Sequence, residues 1–118
     1  MQYLILIYDS EAQWDKLSKS ETDKMYAAYG AYTEEMVKAG VMRGANQLQP
    51  IATATTVRLR GGKLQTTDGP FAETKEQLGG YYLIDVPNLD EAVRWAAKCP
   101  SATVGSIEVR PIVERPGM

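Results

Sequence analysis

Tyr3-Leu4-Ile5-Leu6-Ile7-Tyr8 is apolar on both alternating faces. In an extended chain Tyr3, Ile5 and Ile7 point one way and Leu4, Leu6 and Tyr8 the other, the pattern of a strand covered on both sides. Such a strand belongs in the middle of a sheet. The run has no basic residues before it and is too short for a signal peptide or a membrane span. Asp9, Ser10 and Glu11 break it, and Glu11 to Leu17 predicts a short helical turn.

Working outward, Ser18 with Glu21, or Ser20 with Asp23, offers a capping box. A long helix is predicted from about Glu21 to Ala39, with Met25, Ala28, Tyr29, Tyr32 and Met36 as its apolar stripe and Gly40 as its stop. Val41 to Gln49 reads as extended but irregular. Thr53 to Arg60 and Lys63 to Thr67 read as two strands joined by the Gly61-Gly62 turn. Gly79-Gly80, glycines of a turn or bulge, opens a strand from Tyr81 to Val86. Asn88 caps a second helix, with Leu89, Ala92, Val93, Ala96 and Ala97 as its stripe, until Pro100 ends it. The last strand runs from about Ser106 to Val113, and Pro111 within it predicts an edge or a bulge.

That order predicts an α+β sandwich, with a mainly antiparallel sheet and two main helices on one face. Residues 1–118 form one domain, since the length leaves no room for a second core. Two helices cover one sheet face, so a second copy of the chain is expected to cover the other, making a homodimer. At 44% hydrophobic, 24% charged and a formal charge of −2, the chain reads as globular, without the basic footprint of a nucleic-acid binder. It has no histidine, which excludes histidine-based catalysis and histidine metal or haem ligation within the chain. The single cysteine, Cys99, forms no internal disulfide and reads as a small buried apolar residue. These counts fit a reducing cytoplasm, and no metal or other cofactor is expected.

Asp68-Gly69-Pro70-Phe71-Ala72-Glu73-Thr74-Lys75-Glu76, followed by Leu78-Gly79-Gly80-Tyr81-Tyr82, resembles the signature of the DGPF group of YCII-related proteins. Ala54 to Arg58, Leu89 to Ala92 and Gly105 to Pro111 resemble the same family in the same order. The resemblance implies a ferredoxin-like fold that pairs into a dimeric α+β barrel. It supplies no settled activity. Relatives carry a histidine and aspartate pair suspected of acid-base work, which this chain cannot reproduce. Many also have an acidic residue near the position of Asn46. Members are often encoded near extracytoplasmic-function sigma factors, which implies a sigma factor or other transcription protein as an alternative partner.

The candidate site starts at Asp68. Proline after Gly69 restricts the backbone, and Phe71 is expected to anchor the loop in apolar surroundings, fixing the carboxylate at a pocket mouth. The other reading is that Asp68 only accepts backbone N–H bonds and holds its turn. Glu108 and Arg110 share one face of the last strand. Pointing into a barrel, Arg110 clamps a substrate carboxylate while Glu108 pairs with it; pointing to solvent, they are a surface pair. Tyrosine supplies most of the aromatic residues, with 7. Tyr8 and either Tyr81 or Tyr82 are candidate pocket liners able to donate to an oxyanion.

These residues predict a cytoplasmic homodimer that binds a small oxygenated or carboxylated molecule. As an enzyme it would be a cofactor-free lyase or isomerase with Asp68 as proton acceptor. The alternatives are a non-enzymatic accessory protein in sigma-factor signalling and a structural interaction module.

Overall fold

The computed structural model describes residues 1–115. Its elements are β1 (Gln2–Asp9), α1 (Glu11–Asp15), α2 (Lys19–Lys38), β2 (Met42–Gln47), β3 (Thr55–Arg60), β4 (Lys63–Asp68), β5 (Gln77–Asp85), α3 (Leu89–Ala97) and β6 (Ser106–Pro111). Short 3-10 turns occupy Ile51–Thr53 and Pro100–Thr103. The main sheet has the order β2-β5-β1-β6, antiparallel throughout. With one long helix between β1 and β2 and another helix between β5 and β6, this is the ferredoxin-like arrangement that the family resemblance implies. The β3–β4 hairpin is inserted between β2 and β5 as a separate two-stranded sheet.

β1 is central, as its apolar run required, and β6 with Pro111 lies at an edge. Its two faces differ. Tyr3, Ile5 and Ile7 are buried, while Leu4, Leu6 and Tyr8 are only half-buried. Both long helices lie on the first face, so within one chain the second has no covering layer. The core forms where Tyr32 and Met36 of α2 and Ala92 and Ala96 of α3 meet Tyr3, Ile5, Tyr82 and Ile84. Each large aliphatic side chain fully buried there contributes about 1.5–3 kcal/mol.

The helices begin where their caps dictate. The Ser18 side chain accepts from Glu21 N–H and the Glu21 carboxylate accepts from Ser18 N–H, a complete capping box. Asn88 caps α3 through Glu91 N–H. Gly40 ends α2 at φ +73°, a conformation costly for a side chain. The buried stripes differ from expectation in detail. Ala28 is exposed, and α3 buries Ala92, Ala96 and part of Trp95 while Leu89 and Val93 stay about half exposed. Two alanines one turn apart bring α3 close to the sheet, and larger side chains at its margins are pushed outward. No helix of the described residues is long and apolar enough to cross a membrane.

Candidate functional site

β1 ends on an aspartate that is buried. Asp9 is 8% exposed, on the helix-covered face in line with Tyr3, Ile5 and Ile7. A carboxylate in that position needs donors, and the chain supplies them from both directions. Ser10 caps α1 by accepting from Gln13 N–H, turning the chain back so that Trp14 lies over the strand end. The Trp14 indole N–H then donates to Asp9 Oδ2 at 2.9 Å. From the far end of the sequence, Ser101 Oγ donates to the same oxygen at 2.9 Å. Gly105 permits this approach: a Cβ there would overlap the Tyr8 carbonyl and the Asp9 side chain.

The network continues inward. Ser101 is wholly buried and gives its one proton to Asp9, so the Tyr29 hydroxyl, 2.5 Å away, must donate to Ser101 Oγ. The Cys99 thiol lies 3.5 Å from that hydroxyl on its other side. The chain of donors runs from Cys99 through Tyr29 to Ser101 and ends on Asp9 as acceptor. Burial raises the pKa values of both Tyr29 and Cys99 above their ordinary values, which keeps them protonated and able to donate.

The other Asp9 oxygen, Oδ1, receives no hydrogen bond from the described residues and is not a sealed atom. Asp9 lines a cleft of about 720 Å³ between the sheet and the two N-terminal helices. Ile7, Gly79, Gly80 and Tyr82 form its sheet side; Trp14, Tyr26 and Tyr29 its helix side; Leu48, Pro50 and Ala52 a third wall. Gly79 is the extra residue of a β-bulge, because Ile7 pairs with Gly80 and Tyr8 with Leu78. A Cβ on Gly79 would lie 3.6 Å from Asp9 Oδ1, so glycine keeps that oxygen clear. The Trp14 and Tyr26 rings meet at 5.7 Å, and Gln47 donates to the Tyr26 hydroxyl at 3.1 Å. The carboxylates of the lining are Asp9, Glu11 and Asp15, and it includes no lysine or arginine. Glu11 is committed to structure, accepting from Ile51 N–H to pin the third wall. No three acidic or thiol groups converge as a metal-ligand set among the described residues.

The family model for the YCII-related domain matches residues 1–115. The chain belongs to the YCII-related family. This YCII-related chain is 40% identical over 120 residues to an uncharacterized protein of Rhizobium meliloti (strain 1021), covering 99% of this chain and 97% of that protein. It is also similar in structure to the 5-chloro-2-hydroxyhydroquinone dehydrochlorinase TftG of Burkholderia phenoliruptrix AC1100, solved in complex with 2,5-dihydroxybenzoquinone. That likeness has a TM-score of 0.57 at 15% identity, over 98% of this chain and 96% of TftG, and it bears on the fold.

The residues singled out in the sequence fall in three places. Tyr81 and Tyr82 line the cleft; Tyr81 accepts from Asn46 at 2.8 Å. Tyr8, Glu108 and Arg110 lie on the sheet face that no helix covers, since Leu6 pairs with Glu108 and Leu4 with Arg110. Glu108 holds Arg110 in an ion pair, which raises the guanidinium's affinity for its proton. Asp68 and Phe71 are apart from both. Asp68 is exposed at the end of β4, and Phe71 is 79% exposed, not an anchor in apolar surroundings. The physical reason is that the hairpin never joins the main sheet, so the loop after it is not packed against the core. Asp9, Trp14, Tyr26 and Ser101 were missed. Asp9 looked like a strand breaker, and its partner Ser101 is 92 residues away in the sequence.

Proposed function

We propose that this protein binds a neutral, hydroxyl-bearing ring in the cleft beside Asp9, and that Asp9 accepts a proton from it in a cofactor-free elimination or isomerisation. The observation that carries this reading is the asymmetry of the Asp9 carboxylate in a residue that lines the cleft: Oδ2 is fixed by Trp14 and Ser101, while Oδ1 has no donor among the described residues. A fixed acceptor in an aromatic-lined, partly apolar cleft is suited to a ring hydroxyl. The acidic lining disfavours the carboxylated ligand expected from the sequence, and Arg110 stands on the opposite sheet face, where it cannot clamp one. In an elimination from the non-aromatic tautomer, a ring O–H gives its proton to Asp9, its bonding pair becomes a C=O bond, the ring double bond at that carbon shifts one position, and the leaving group on the saturated carbon so reached departs with its own pair. The dehydrochlorinase neighbour supports this class by its name and by the quinone bound to it.

The same reading keeps the homodimer, because the described residues leave Leu4, Leu6 and Leu83 of the helix-free face only half-buried. Nothing in the cleft favours the sigma-factor alternative. The test is titration of the purified protein with hydroxyhydroquinone under nitrogen, followed by tryptophan fluorescence through Trp14. Saturable quenching is expected, weakened at least tenfold in Asp9→Asn. Absence of saturation up to millimolar ligand, or equal affinity in the variant, overturns the assignment.

A further inference from the structure

We infer that the β3–β4 hairpin is an arm that clasps a second copy of this chain through the face bearing Val57, Leu59 and Leu64. The register pairs Thr55 with Asp68, Val57 with Thr66 and Leu59 with Leu64, which puts the three apolar side chains on one side of the ribbon. Arg58, Arg60 and Lys63 stand on the other. Val57, Leu59 and Leu64 are 60%, 65% and 70% exposed, so most of the apolar side is left uncovered by the described residues. Gly61 and Gly62, at φ +57° and +75°, close the ribbon in a turn that needs both in the left-handed region. A two-stranded ribbon standing alone is at best marginally stable in water. An amphipathic one with a leucine pair needs a surface to lie on.

The dimensions say what supplies it. The radius of gyration is 16.4 Å, against about 13.5 Å for a compact domain of this length. The 13.0 kDa chain exposes 8296 Å², about 2,000 Å² above the roughly 6,300 Å² of a compact monomer. An obligate homodimer buries about 1,000–2,500 Å² on each protomer, so a second copy removes an excess of this size. Charge agrees in sign. The arm is net cationic within a chain of formal charge −2, so the body it meets in another copy is more acidic than the whole. The arm is a sheet separate from the helix-free face of the main sheet, so it is a separate contact with its own test.

Sedimentation equilibrium should give a dimer for the unaltered protein at low micromolar concentration. Combining Leu59→Lys with Leu64→Lys should weaken it at least 100-fold without changing the far-ultraviolet circular dichroism, since both positions are exposed in the single chain. Hydrogen exchange of the β3 and β4 amides in the unaltered protein gives a readout that needs no variant: protection should rise with concentration alongside dimer formation. Leu6→Glu serves as the comparison for the sheet face. An arm variant that dimerises with an unchanged constant while Leu6→Glu does not, arm amides unprotected in the dimer, or a monomer at 100 µM would each overturn the inference.

Discussion

Asp9 and Asp68 each close a β-strand, and they teach opposite lessons. Asp68 sits in a conspicuous sequence, followed by glycine, proline and phenylalanine, yet its strand belongs to an exposed hairpin and its neighbourhood is solvent. Gly69 N–H bonds to the Ala54 carbonyl and Thr56 Oγ1 to the Gly69 carbonyl, so this segment's bonds close the hairpin base. Asp9 sits in no motif, but it ends the most buried strand and gathers donors from the helix that follows it and from a serine 92 residues away. Residue types that shape a turn mark a turn. A binding site needs a polar group held within the core and left one open valence.

Stability separates the two regions, and the sharpest break should come at Gly105. Gly105→Ala pushes a methyl group into the Tyr8 carbonyl and Asp9, and a loss of about 3 kcal/mol in chemical denaturation is expected. Asp9→Ala, which strands the buried Ser101 hydroxyl and the Trp14 N–H, should cost about 2–3 kcal/mol. The same substitution at Asp68 should stay within about 0.5 kcal/mol. Comparable losses at both aspartates would erase the contrast.

Alkaline pH sharpens it. Tyr29, Tyr32, Tyr82 and Cys99 all have their pKa values raised, in each case chiefly by burial. The native state therefore holds their protons where the unfolded chain releases them, and stability falls as pH rises past the ordinary values of 9.0 for the thiol and 10.0 for the phenols. Denaturation midpoints should be insensitive to these groups between pH 6 and 8 and should show a loss of about 2 kcal/mol by pH 10. Tyr29→Phe, which removes one donor to Ser101, should cost about 1 kcal/mol at neutral pH and reduce the alkaline loss. A Tyr29→Phe protein with an unchanged alkaline profile would show that the buried network does not set it.

Much of the fold was legible because its signals are local. The Ser18–Glu21 box, the Gly61-Gly62 turn, the Asn88 cap and the alternation of β1 each involve residues a few positions apart, where backbone geometry dictates the pairing. The hairpin's separation from the main sheet was not legible: alternation and turn glycines specify a ribbon and say nothing of what it packs on. The site was only half legible. Tyr81 and Tyr82 were found through their place on a strand, whereas Asp9 depends on a serine from the other end of the chain. One signal could have pointed there. A polar residue ending a doubly apolar strand inherits the burial of the residues two and four before it.

The most direct test is a comparison of Asp9→Asn and Asp68→Asn in one binding experiment with hydroxyhydroquinone, with dihydroxybenzoate as an anionic counterpart of similar shape. Asp9→Asn should lose at least tenfold in affinity for the neutral ring, Asp68→Asn should match the unaltered protein, and dihydroxybenzoate should bind more weakly than the neutral ring to all three. Loss confined to Asp68→Asn, or preference for the anion, would contradict the placement of the site beside Asp9.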